Sequence, residues 1–195
     1  MNELDLYQLI QHILKYSTTI EGRCIVAEGY GNDLNTNNLA EIIADSLGSI
    51  TTLQKYPLTV ILPPTEMVSS YENPDTSGWS TFKLNLYFLT TTFYDNNSAL
   101  DSSRINALNN NSSYPICNNW KDMRSVAGDF RRMFNNYIRK YNLLDKVREV
   151  QHSTDIYNRV SLKNNDRLTG ISLQFDAEIF MPCSVQDYLT FPLPL

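Results

Sequence analysis

Apolar residues recur at helical spacing in three stretches of the chain. The first covers residues 3–16, the second begins at about residue 36 and ends before Gly48, and the third covers residues 120–141. Within each stretch the apolar positions lie three and four residues apart, so one face of a helix would carry them. We therefore predict three amphipathic helices. The third is the longest, because its apolar face extends over about six turns.

Other stretches follow the pattern of β-strands. Apolar and polar residues alternate over 82–88 and again, strictly, over 171–181, which is typical of a sheet with one buried face. Short β-prone runs at 23–28 and 58–62 also predict strands, and prolines bound the second of these. A further β-prone segment, 147–160, precedes the last strand, and we expect the two to pair as an antiparallel hairpin.

The order of these elements favours an α+β fold. Strands in runs, with helices between them, predict a mostly antiparallel sheet with a long amphipathic helix and shorter helices packed on one face. A chain of 195 residues has room for one such domain. We assign a single domain to residues 1–186, with long loops near 65–79 and 95–118, where Ser, Asn, Asp, Gly and Pro are concentrated.

Composition narrows the class of protein. With 42% hydrophobic and 19% charged residues, the chain is expected to fold rather than to remain disordered. Its net charge of -5 repels phosphate and disfavours nucleic-acid binding through charge. The acidic N-terminus does not resemble a signal peptide, and no apolar stretch approaches the roughly 20 residues of a membrane span. These features predict a soluble protein.

The cysteines point to a reducing compartment. Cys24, Cys117 and Cys183 are far apart in the chain and form no CxxC pair. That spacing indicates neither a disulfide framework nor a structural metal clip. A reducing cytoplasm would suit three free thiols.

Few residues offer catalytic chemistry. The histidines are His12 and His152, and a lone histidine is usually a packed or surface residue. Asp176 and Glu178 share one face of the last predicted strand, where they could hold a cation or act as an acid pair, although a solvated sheet face is the commoner arrangement. The sequence contains no phosphate-binding glycine loop, nucleophile motif or metal-spaced cluster. We predict no catalytic residue, no cofactor and no metal.

Basic residues line the polar side of the long helix. Asp129 lies at helical spacing from Arg132, so the sequence predicts an ion-paired, solvated face or a protein interface rather than a nucleic-acid site. The aromatic residues of the same helix are assigned to its core face. The basic positions are Lys121, Arg124, Arg131, Arg132, Arg139 and Lys140.

Residues 187–195 form an apolar segment interrupted by prolines. Such a segment cannot be a helix and has little room to form a regular strand. Exposed apolar surface of this kind seeks a neighbouring subunit or a groove. We therefore predict an interface arm, whose contact residues are Tyr188, Leu189, Phe191, Leu193 and Leu195.

In layout, the sequence resembles the tail-terminator and head-to-tail joining proteins of tailed bacteriophages. The resemblance rests on the first amphipathic helix, the strand opening at 56–61 (YPLTVI), the long loop before the alternating strand, and the long helix that leads to a hairpin. The hairpin segments are 155–160 (DIYNRV) and 170–179 (GISLQFDAEI). The Asn- and Tyr-rich composition is also similar to that of virion proteins of crAss-like phages.

This resemblance implies a structural virion protein made in the bacterial cytoplasm. It would form a homo-oligomeric ring at the phage neck or tail end and contact portal or connector proteins and tail-tube or tail-hub proteins. DNA would pass through as non-specific cargo, and no membrane would be involved. Asp176 and Glu178 would then face the lumen and repel phosphate. The chain is longer than a minimal tail terminator, so another neck ring stays open.

Two alternatives from other classes also stay open. The first is a small-ligand-binding module or enzyme, in which two or more of His12, His152, Asp176 and Glu178 converge in a pocket. The second is an assembly chaperone or adaptor, which would be a monomer or dimer on its own. A ring subunit instead requires a heterologous, closing interface.

Overall fold

The strands of the chain form one mixed sheet, and the helices pack against it, so the fold is α+β as expected. The computed structural model describes residues 3–27, 36–47, 56–63, 67–70, 78–91, 115–149, 154–161 and 168–181. The helices are α1 (Glu3–Leu14), α2 (Thr36–Leu47) and α3 (Pro115–Lys140). The strands are β1 (Cys24–Val26), β2 (Leu58–Leu62), β3 (Met67–Ser70), β4 (Gly78–Thr91), β5 (Val147–Glu149), β6 (Ile156–Ser161) and β7 (Leu168–Met181).

Strands β4 and β7 form the centre of the sheet. They pair antiparallel along their whole length, from Gly78 opposite Met181 to Thr91 opposite Leu168. Strands β2 and β3 each pair with one half of β4 on its other side, and β6 and β5 do the same for β7. Strand β1 adds to β2 in parallel at the edge. The predicted antiparallel pairing of the 147–160 segment with the last strand is confirmed.

The main core lies between this sheet and helices α1 and α3. Alternate residues of β4 and β7 point toward these helices, as the alternation predicts, and in register Leu84 lies opposite Phe175. The apolar stripes of both helices are buried against them. This side of the sheet is called the α1/α3 face below. Its largest fully buried side chains include Leu6, Ile10, Ile13, Phe82, Phe88 and Phe134.

Helix α2 packs on the opposite side of the sheet, called the α2 face below. Its residues Leu39, Ile42 and Ile43 cluster with Leu58 and with other residues of β2 and β4. The expectation that the helices share one face is therefore wrong. The reason is that β2 is buried at all five positions, so both of its faces need apolar cover. As the connection between the parallel strands β1 and β2, α2 supplies the second cover.

Two predicted loops contain regular structure. Strand β3 lies within 65–79, where its backbone pairs with β4, for example Ser69 opposite Ser80. Helix α3 begins at Pro115, inside 95–118, because proline suits the first turn of a helix. Apart from Gly78 and Trp79, which belong to β4, the rest of these loops lies outside the described residues, as do His152 and the 187–195 arm.

Helix α3 ends in a Schellman motif at Asn142, whose φ is 52°. The N–H of Leu143 donates to the carbonyl of Ile138 at 2.9 Å, and the N–H of Asn142 donates to that of Arg139 at 3.3 Å. Asparagine tolerates the left-handed conformation that this cap requires. The cap fixes where the last turn of α3 ends, and with it the position of the tyrosines in that turn.

Cys24 is a free thiol in β1. Burial raises the pKa of this thiol, and the nearby charge of Lys15 only partly opposes the effect. Less thiolate is therefore present at neutral pH than on an unfolded chain. We expect iodoacetamide to alkylate Cys24 about tenfold more slowly in the native protein than in urea, as measured by peptide mass spectrometry. Equal rates would contradict the burial of β1.

Candidate functional site

A groove lies between the C-terminal ends of α1 and α3. Its volume is about 300 Å³, which is the lower end of the range for ligand pockets. Helix α1 contributes one wall and the last two turns of α3 the other. The residues that line the groove are Ile13, Tyr16, Met133, Asn136, Tyr137, Lys140 and Tyr141.

Helical spacing determines which residues of α3 form its wall of the groove. Met133, Tyr137 and Tyr141 follow one another at intervals of four, so they form a row along one side of the helix. Tyr16, two residues beyond the end of α1, faces this row across the groove. The side chains at the rim are open to solvent, since Tyr16 is 63% and Tyr141 51% exposed. Two large aromatic residues of the groove thus remain uncovered in the single chain.

Ring contacts hold the aromatic wall in place. The ring of His12 meets those of Tyr16 and Tyr137 edge-on, at centroid distances of 5.2 and 5.4 Å. Tyr137 and Tyr141 lie 4.4 Å apart, and Nζ of Lys140 sits 5.3 Å from the Tyr141 ring centroid. Such contacts each stabilise a fixed ring orientation. A partner would therefore meet a surface that is largely preorganised.

The hydroxyl of Tyr137 is a hydrogen-bond donor at physiological pH. Loss of solvent contact raises the pKa of Tyr137, and the neighbouring Tyr141 and Tyr16 raise it further, while Lys140 opposes them. The hydroxyl thus stays protonated well above neutral pH. The groove combines apolar contact area, neutral donors and one cation.

Asp176 and Glu178 lie elsewhere, on the α2 face of β7. Their shared face is confirmed, because both alternate with the buried residues of the α1/α3 face. The cross-strand neighbours change the expected charge of this surface. Lys83 lies in register with Asp176. A cation therefore lies beside one of the two acids on this surface.

Among the described groups proposed for a catalytic cleft, His12 does not converge with the two acids. His12 belongs to α1 and contacts Tyr137 of α3, whereas Asp176 and Glu178 are on the other side of the sheet. Within the described ranges, no three His, Cys, Asp or Glu side chains are placed to share a metal ion. His12 instead supports the aromatic wall of the groove.

The basic face of α3 differs from its prediction at one position. Arg131 is 4% exposed and pairs with Asp155, so its assignment to the solvated face is wrong. The predicted ion pair of Arg132 with Asp129 is confirmed, and both residues are exposed. Arg124 stacks on an aromatic ring of β6 at 4.8 Å. Several cations of this helix are thus engaged within the chain.

Sequence reasoning missed the groove because Tyr137 and Tyr141 fit the apolar period of the long helix. A signal was nevertheless present. Tyrosine carries a polar tip, and tyrosine and methionine are enriched at protein interfaces, so a row of Met133, Tyr137 and Tyr141 at the end of a helix suits a contact surface.

The comparisons with known proteins identify no family. No protein-family model matches the chain, and no curated protein matches it. None of the described helices combines the length and the apolar composition needed to cross a membrane.

Proposed function

We propose that the chain is a structural subunit of a ring at the neck or tail end of a tailed bacteriophage, as a tail terminator or head-to-tail joining protein around the DNA conduit. The observation that carries the proposal is the tyrosine-lined groove between α1 and α3. Exposed, preorganised aromatic side chains beside apolar ones are typical of protein interfaces. The resemblance in layout supports the same class of protein.

Ring formation requires a heterologous interface, in which two different surfaces of the subunit meet. The chain offers surfaces of different chemistry on its two sides. The groove is aromatic and carries Lys140, whereas the α2 face of β7 carries Asp176 and Glu178 with Lys83 beside one of them. A contact between the groove and another part of the next copy is heterologous, and such contacts close into a ring when the rotation permits.

The α2 face of β7 is our proposed conduit surface. Tight DNA binding requires several cations that neutralise phosphates together. Asp176 and Glu178 lie beside Lys83 on this surface, and the chain as a whole carries a charge of -5. A conduit lined in this way lets DNA pass without gripping it. The sequence predicts that Asp176 and Glu178 repel phosphate. The positive charge of Lys83 beside Asp176 weakens this repulsion.

In this proposal the ring contacts two kinds of virion protein. The ring is a homo-oligomer in the virion, bounded by a portal or connector protein on one side and by a tail-tube or tail-hub protein on the other. DNA is its non-specific cargo. The exposed aromatic groove is compatible with contact between copies or with one of these neighbours.

Imaging of the purified protein tests the proposal. We expect closed rings of uniform diameter by negative-stain electron microscopy, either at high protein concentration or after mixing with the virion proteins encoded beside it. The variant Tyr16→Ala/Tyr141→Ala should assemble poorly, because it removes the exposed aromatic area of the groove. Monomers that bind none of these proteins would contradict the ring and favour the ligand-binding alternative.

A further inference from the structure

We infer that the groove between α1 and α3 is the docking site for residues 188–195 of a neighbouring copy of the chain. The inference rests on the proposed ring, since it names the segment that joins one subunit to the next. Four observations support it: the conformation that the segment favours, the apolar lining of the groove, the charges on both sides, and the place where β7 ends.

The first observation is conformational. The segment has the sequence YLTFPLPL, with Pro192 and Pro194 at alternate positions. Proline fixes φ near the polyproline II value, and this conformation makes no internal hydrogen bonds. Grooves lined by aromatic side chains bind such segments at a low cost in entropy. The groove has three tyrosines for the prolines to contact, and their hydroxyls can donate to the carbonyls of the segment.

The second observation is the apolar lining. Ile13 and Met133 line the groove together with the tyrosines. Leu189, Phe191 and Leu193 would bury apolar area there, area that water otherwise contacts in the free segment. The groove volume of about 300 Å³ suits two or three side chains of an extended peptide.

The third observation is charge. Asp187 immediately precedes the segment and is the one charged side chain in the sequence of residues 182–195. Lys140 lines the groove, and no acidic residue is among its lining residues. The groove therefore carries a positive charge, whereas the segment is preceded by an acid. This favours the arm over a basic partner.

The fourth observation is reach. The N–H of Phe180 donates to the carbonyl of Lys146 at 2.9 Å, so β7 ends close to the turn that follows α3. Residues 182–187 provide about 20 Å of extended chain before the docking segment begins. That length is sufficient for the segment to reach a neighbouring copy. In a ring, we expect the groove of the next copy to be the surface that it meets.

Photocrosslinking in the full-length protein tests the docking. The substitution Phe191→p-benzoylphenylalanine places the crosslinker inside the segment, and mixing this protein with 15N-labelled protein distinguishes copies by mass. We expect crosslinked peptides that join position 191 of the unlabelled chain to residues 13–16 or 133–141 of the labelled chain. Crosslinks confined to a single chain, or to any other surface, would overturn the inference.

Variants of the groove supply the second measurement. In labelled protein, Tyr16→Ala/Tyr141→Ala should reduce the yield of intermolecular crosslinks about tenfold, since hot-spot aromatics dominate such contacts. Ile156→Ala is the matched control, because Ile156 is 47% exposed but lies on β6, outside the groove lining. Its yield should not change. Circular dichroism verifies that both variants fold, and an equal yield for all three proteins would overturn the docking.

Different results would contradict the docking and the closed ring. Rings in which position 191 crosslinks elsewhere overturn the docking and leave the ring standing. Crosslinks to the groove between copies that form open filaments keep the docking and overturn the closed ring. Monomers at every concentration, without intermolecular crosslinks, overturn both.

Discussion

The variant Phe134→Ala is expected to lose about 4 kcal/mol of unfolding free energy, the largest effect that we predict for a single substitution. Phe134 is fully buried between α3 and the sheet. Its ring centroid lies 5.4 Å from that of Phe175, nearly edge-on, and 6.1 Å from that of Phe130. Truncation removes these contacts and leaves a cavity that the rigid strands cannot close. Urea titration followed by circular dichroism measures the loss.

Two further variants of α3 isolate the cause. Phe134→Leu keeps most of the buried volume, so its loss should be about 1 kcal/mol. Tyr141→Ala lies two turns further along the same helix, where the side chain is 51% exposed, and should change stability by about 0.5 kcal/mol or less. If Phe134→Ala cost no more than Tyr141→Ala, α3 would not pack on the sheet as described, and the groove would lose its support.

Most of the elements that the sequence predicts correctly are predicted from local periodicity. Strand β2 has the predicted bounds, Leu58–Leu62, because prolines lie on both sides of its apolar run. The inward residues of β7 were predicted from strict alternation, since a strand that packs against helices must bury every second residue. The stripe of α1 was predicted in the same way. Each of these patterns lies within one continuous segment of the chain.

What the sequence did not predict depends on contacts between distant segments. The stripe of α2 indicates that the helix covers something, but not which face of the sheet it covers. Strand β3 is held by its pairing with β4, and its polar residues show no strand pattern. Arg131 was placed with the solvated cations because its partner, Asp155, lies 24 residues away and no spacing rule connects the two.

In the candidate site, too, the sequence predicts local patterns but not contacts between distant segments. The alternation of β7 predicted that Asp176 and Glu178 share a face, yet it could not predict Lys83 beside Asp176, because strand register is not a local property. Tyr141 fits the period of a core residue, but its exposure depends on where α1 ends against α3. An interface row at the end of a helix is therefore hard to distinguish from core by spacing alone.

The variant Asp155→Ala is expected to lose about 3 kcal/mol of stability, because it leaves a buried guanidinium without its counter-ion. Nε of Arg131 donates to both carboxylate oxygens of Asp155 at 3.1 Å, and Nη1 donates to the side-chain oxygen of Asn135 at 2.6 Å. The guanidinium also lies 4.5 Å from the ring centroid of Phe175. The side chain of Arg131 is 5% exposed and that of Asp155 26%.

This difference in burial predicts an asymmetric double-mutant cycle. Arg131→Met should lose about 1 kcal/mol, since methionine fills much of the same space and water still reaches the remaining carboxylate. In the Arg131→Met background, Asp155→Ala should cost less than about 1 kcal/mol, which gives a coupling energy of about 2 kcal/mol.

Asp129→Ala supplies the matched control for the cycle, because Asp129 forms an ion pair with Arg132 on the same helix, and both side chains are at least half exposed. Water screens that pair, so its loss should cost less than about 0.5 kcal/mol. If Asp155→Ala and Asp129→Ala cost the same in urea titrations, Arg131 would be hydrated. The contact between α3 and the β6–β7 side of the sheet would then be open, and the helix that carries the groove would be held mainly by its phenylalanines.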